Sequence, residues 1–143
     1  GGISGGAKEN EHKALKSFGT NFGMAFQLID DAIDYSSSFE RMGKNIGDDF
    51  KEGKITLPII LAYGRSNKEE KKFLKTVISQ PDENENNFNL IKELLIKYNC
   101  IEDTMIRANH FADIAIESLS IFSDNKYKSA LIKLIETSVK RLA

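Results

Sequence analysis

Asp30, Asp31 and Asp34 put three carboxylates into the short stretch Phe26-Gln27-Leu28-Ile29-Asp30-Asp31-Ala32-Ile33-Asp34. At about 100° per residue, Gln27, Asp30, Asp31 and Asp34 fall within an arc of roughly 100° on one helix face, which Thr20 and Gly23 share. The rest of that helix surface carries Phe22, Ala25, Phe26, Leu28, Ile29, Ala32 and Ile33. A helix apolar over most of its circumference is buried. Carboxylates in such a place repel one another and lose hydration, and they persist when paired or bound to a cation. Oxygen ligands spaced i and i+4 suit Mg²⁺, which often joins protein carboxylates to substrate phosphates. A wet rim on an amphipathic helix would carry the same acids, but the apolar surround favours the cation.

The next residues supply the complementary charge. Gly43-Lys44-Asn45-Ile46-Gly47-Asp48-Asp49 leads to Glu52-Gly53-Lys54-Ile55-Thr56-Leu57-Pro58. Lysine is a flexible point charge suited to phosphate, and glycine lets backbone approach a ligand closely. Acids for a metal and lysines for phosphate are the parts needed to hold a metal diphosphate. Taken alone, Lys44 could equally be a solvated surface lysine. Lys51 and Asp49 lack the same support.

At these residues the chain resembles the trans-polyprenyl diphosphate synthases. It looks like their second aspartate-rich motif, FQ-x-x-DD-x-x-D, then GK-x-x-G-x-D, then GK-x-TLP. Ile101-Glu102-Asp103-Thr104, Arg107-Ala108 and the closing basic helix resemble the bacterial octaprenyl/decaprenyl branch, so the resemblance runs along essentially the whole chain. It implies an all-α isoprenoid synthase bundle, of which this chain is the C-terminal portion. The family's first aspartate-rich motif and the upstream basic residues for isopentenyl diphosphate are not found here. The chain alone is therefore expected not to condense prenyl substrates and to bind Mg²⁺ weakly.

The implied reaction is head-to-tail condensation of an allylic prenyl diphosphate with isopentenyl diphosphate, with the product serving a quinone side chain. By resemblance, Asp30 and Asp34 hold Mg²⁺ and Asp31 assists. Lys44 and Lys54 meet the diphosphate, and Asp48 is a loop partner of a lysine or a metal-bound water. Phe26 and Gln27 face the substrate, and Arg141 is either a diphosphate contact or a helix-end charge. The resemblance also implies a homodimeric full-length enzyme. Alternatives are a terpene cyclase of the same fold, against which Lys44 and Lys54 speak, and a non-catalytic partner subunit, against which the intact motifs speak.

Composition narrows the classes further. Twenty basic and 21 acidic residues give a net charge of −1, so no basic excess points to nucleic acid. Cys100 is the one cysteine, which leaves no disulfide framework within the chain. No apolar run is long enough to span a bilayer, and a reducing cytoplasm is the expected compartment. The glycines at 1–6 do not form a P-loop, because Glu9 follows Lys8 where a hydroxyl is required.

The elements that must position these residues are helical throughout. The pattern predicts helices over Glu11–Asp34, from Thr56 to Gly64, over Ser66–Ser79, Phe88–Tyr98, Ile101–Leu119 and Tyr127–Leu142. Thr56 is read as the cap of the second, and Ser66 with Glu69 as a capping box for the third. Phe39 to Gly53 and Gln80 to Asn87 are read as loops. In the last helix Ala130, Leu131, Leu134, Ile135 and Val139 are expected to face inward. His12 and the pair His110 and Asp113 are read as surface residues rather than ligands.

Overall fold

A computed structural model describes residues 8–36, 54–79 and 85–140. Its elements are α1 (Glu9–Ile33), α2 (Leu57–Arg65), α3 (Lys68–Ser79), α4 (Glu85–Lys97), α5 (Cys100–Ser118) and α6 (Lys126–Val139). Among the described residues there is no strand, and no helix is long and apolar enough to cross a membrane.

The chain forms two compact units. Among the described residues, one comprises 8–29 and 106–140, and the other 30–36, 54–79 and 85–105. In the first unit the core is small and aromatic. Ala25, Ala112, Ala115 and Ile135 are buried, with Phe18, Phe22, Phe111, Ile116 and Val139 packed around them. Small residues at a helix contact let axes approach closely. The Ser17 and Ser118 hydroxyls meet at 2.8 Å across that approach. Phe18 and Phe22 stack with ring centres 5.9 Å apart. Asn125 caps α6, its Oδ1 accepting from the Tyr127 N–H at 3.0 Å and the Lys128 N–H at 2.9 Å. The inward face of α6 is narrower than its apolar pattern predicts. Ile135 is buried and Leu131 and Val139 half-buried, whereas Ala130 and Leu134 are exposed.

In the second unit the core is mainly aliphatic: Tyr35, Ile59, Ala62, Leu74, Val77, Ile91, Leu95 and Cys100. Fully burying each large aliphatic side chain contributes about 1.5–3 kcal/mol. Burial also pushes the Cys100 thiol up from its ordinary range, which suits a packing residue rather than a nucleophile. Ile60 is exposed, so only part of the apolar run of α2 is core.

Local hydrogen bonds set the boundaries. The capping box of α3 lies one residue later than its sequence suggests. The Asn67 N–H donates to Glu70 Oε1 at 2.9 Å, and the Glu70 N–H donates to Asn67 Oδ1 at 2.9 Å. Ser66 instead ends α2, its N–H and hydroxyl donating to the Ala62 carbonyl at 2.9 and 2.6 Å. Gly64 therefore lies inside α2 rather than past its end. α4 starts at Glu85, earlier than the expected Phe88, so helix replaces part of the loop read there. The joint between α4 and α5 turns at Asn99, whose φ is 54°. Arg65 clamps this joint, donating from Nη1 to the Tyr98 carbonyl at 2.6 Å and pairing through Nη2 with Asp103 at 2.6 Å.

Candidate metal–diphosphate site

The C-terminal end of α1 carries the acids, and the fold buries it. Asp31 is 8% exposed and Asp34 wholly buried, while Asp30 is half-buried. The Asp34 N–H donates to the Asp30 carbonyl at 3.2 Å, so the α-turn runs through both residues and puts them on one face. Tyr35 then anchors this end. Its ring is buried in the cluster with Ile59 and Ala62 of α2 and stacks on Phe88 of α4 with centres 5.9 Å apart. That packing brings the acid end of α1 to the body of α2, whose approach segment holds the exposed Lys54.

The electrostatics of the helix run against this placement. A helix C-terminus carries a partial negative charge, so each anion there is disfavoured by about 0.3–1 kcal/mol. The last turn of α1 itself holds no basic residue. At α2 the opposite holds. Its N-terminus has the partial positive charge, and no acid occupies its first turn.

Among the described residues, no three His, Cys, Asp or Glu side chains form a set that could hold a metal ion. The three aspartates are thus not brought to one point, and the reason is helical. Asp31 leaves the axis about 100° round from Asp30, whereas Asp30 and Asp34 share a face. The oxygen-only pair Asp30 and Asp34 still fits a hard divalent cation, which commonly takes one or two carboxylates and completes its shell with water and substrate phosphate.

Other predicted residues fall as follows. Gln27 is exposed on α1, and so is Phe26, at 45%, which the apolar pattern alone would have buried. Phe26 contacts Phe22, with ring centres 6.3 Å apart. Lys44 and Asp48 lie outside the described residues, as do Asp49, Lys51 and Arg141. His12 and His110 are exposed, as expected of surface residues.

Thr56 differs from its sequence reading. It stands at the N-cap position of α2 with extended backbone, φ −111° and ψ 169°, yet its side chain makes no capping hydrogen bond. The signal was in the sequence. A capping oxygen accepts from the second or third helical N–H, and the second residue here is Pro58, which has none.

The described residues are all helical or irregular, and the end of α1 carries the buried Asp31 and Asp34 beside a half-buried Asp30. Residues 1–95 match the family model described as polyprenyl synthetase. The octaprenyl diphosphate synthase of Escherichia coli K12 is 38% identical over 98% of this chain and 43% of its own length. Among solved structures, a polyprenyl synthase from Caulobacter crescentus CB15 complexed with calcium and isoprenyl diphosphate is 40% identical, with a TM-score of 0.88 over 99% of this chain and 43% of that one. A decaprenyl diphosphate synthase from Rhodobacter capsulatus is 34% identical with a TM-score of 0.90, over 99% of this chain and 44% of that one. The chain belongs to the polyprenyl synthetase family. It spans less than half the length of the curated relatives it matches.

Proposed function

We propose that this chain carries one metal–diphosphate site of a prenyl-chain-elongating transferase, which joins an allylic prenyl diphosphate head-to-tail to isopentenyl diphosphate. The observation that carries the reading is Asp30 and Asp34 on one turn at the buried end of α1, next to Tyr35, which is buried in one cluster with Ile59 and Ala62 of α2. The difficult step is departure of diphosphate, on which negative charge develops. Groups fixed beforehand around that charge stabilise it without reorganising. Mg²⁺, when bound, supplies the Lewis acid for that leaving group.

Asp30 and Asp34 would hold the ion, with Asp31 assisting. Lys44 and Lys54 would grip the diphosphate oxygens, and Asp48 would brace a lysine or a metal-bound water. Gln27 and Phe26 would face the substrate from the preceding turn of α1. The calcium and isoprenyl diphosphate complexed with the Caulobacter polyprenyl synthase support the pairing of a hard cation with this ligand class. The octaprenyl and decaprenyl names of the relatives support a long product, which we read as a quinone side chain. The homodimer and the cytoplasm rest on the resemblance alone.

The test uses the natural polypeptide containing these residues, with labelled isopentenyl diphosphate and an allylic diphosphate. Label should enter longer prenyl diphosphates when Mg²⁺ is present and should stop when it is chelated. Absence of extension, or extension indifferent to the metal, would sink the reading.

A further inference from the structure

The buried hydroxyls of Ser66 and Thr104 are both satisfied within their own helices, donating to the carbonyls four residues back at 2.6 and 2.7 Å. Thr56 is 8% exposed, and its hydroxyl has no hydrogen-bond partner. A buried hydroxyl without a partner is destabilising relative to an apolar group of the same shape. Its location is specific. It sits at the positive end of a nine-residue helix with no acid in its first turn, two residues after Lys54. Pro58 removes one of the two amides the hydroxyl could cap, and the hydroxyl does not take the other, that of Ile59. A hydroxyl has one proton to donate besides its lone pairs, and with no partner of either kind the Thr56 proton is not committed.

Resting on the diphosphate reading above, we propose that Thr56 is a further binding residue of that site. Its hydroxyl is a reserved donor, taken up by a phosphate oxygen when a diphosphate binds beside Lys54 at the N-terminus of α2. The helix end and the ammonium favour the anion. The hydroxyl adds a directed hydrogen bond to a charged acceptor in a place shielded from water, where such bonds are strong.

The test compares Thr56→Val, Thr56→Ala and Thr56→Ser with the parent in the natural polypeptide, using inorganic pyrophosphate with Mg²⁺ as the probe in calorimetry. Thr56→Val should weaken binding about tenfold, the scale of a hydrogen bond to a charged group. Thr56→Ser should stay close to the parent, and the melting temperature of Thr56→Val should hold or rise. The KM for the allylic diphosphate should rise in parallel. Thr56→Ala removes the hydroxyl with a smaller side chain and should reproduce the loss if valine distorts the turn. Binding unchanged in both hydroxyl-free variants overturns the inference alone, provided Asp30→Asn abolishes binding. A loss of binding that tracks a loss of melting temperature overturns it as well. A parent that does not bind Mg²⁺-pyrophosphate overturns both the inference and the reading beneath it.

Discussion

Two groups of carboxylates in this molecule stand at opposite helix ends. Glu70 lies in the first turn of α3, where the helix dipole favours an anion. Its partners all come from this chain: the Asn67 N–H, the Lys97 ammonium at 2.8 Å and the Tyr98 hydroxyl. The hydrogen bonds from Lys97 and Tyr98 hold its carboxyl well below the usual range, at about 2. The same contact raises the Lys97 ammonium above its ordinary value. Glu70 thereby staples α3 to the end of α4. Asp30, Asp31 and Asp34 stand at the end of α1 where the dipole opposes them, on a helix with no base in its last turn. The helix dipole thus adds to the stability of Glu70 in its place and opposes the three aspartates in theirs.

This contrast can be broken by substitution. The largest effect is expected from Asp30→Ala. In the natural polypeptide turnover should fall by several orders of magnitude, at about tenfold for each ~1.4 kcal/mol of lost transition-state stabilisation. The fold should survive, because Asp30 is only half-buried. Normal prenyl transfer with a retained Mg²⁺ requirement would refute the role.

A smaller difference is expected between lysines. Lys44→Ala should weaken allylic substrate binding and turnover more than Lys51→Ala does, since only Lys44 occupies the GK position. Equal, slight effects in a steady-state comparison would make Lys44 an ordinary surface charge.

The smallest effect concerns Glu70. Its folded pKa of about 2 lies below the ordinary 4.5, so its contribution to stability is complete above 4.5 and is lost as pH falls toward 2. Glu70→Gln should lower the melting temperature at neutral pH, and the gap to the parent should close across that acid window. Thermal melts at a series of pH values check this, and a gap independent of pH would mean that the staple is not electrostatic.

Helix content was legible because apolar spacing in Phe88, Ile91 and Leu95, or in Ala108, Ala112 and Ala115, follows one face per turn, and each of these six is buried or half-buried. The ends were less legible. Ser66 and Asn67 are both competent caps by type, and only the reciprocal bonds with Glu70 decide between them. The acid cluster was visible as a buried-helix anomaly. The angular offset of Asp31 from Asp30 is set by helix geometry and was readable too, whereas the burial of Asp31 and Asp34 beside a half-buried Asp30 depends on residues distant in the chain. Thr56 was misread because capping propensity belongs to the residue, whereas the missing amide belongs to Pro58.

Asn99 fixes one further property, the substitutions this joint can absorb. A left-handed backbone accepts glycine at little strain and tolerates asparagine, but it crowds any β-branched side chain. Asn99→Gly is thus a permitted step and Asn99→Val a forbidden one. Sequence drift between α4 and α5 is channelled by one torsion angle, and Arg65 holds the carbonyl just before it.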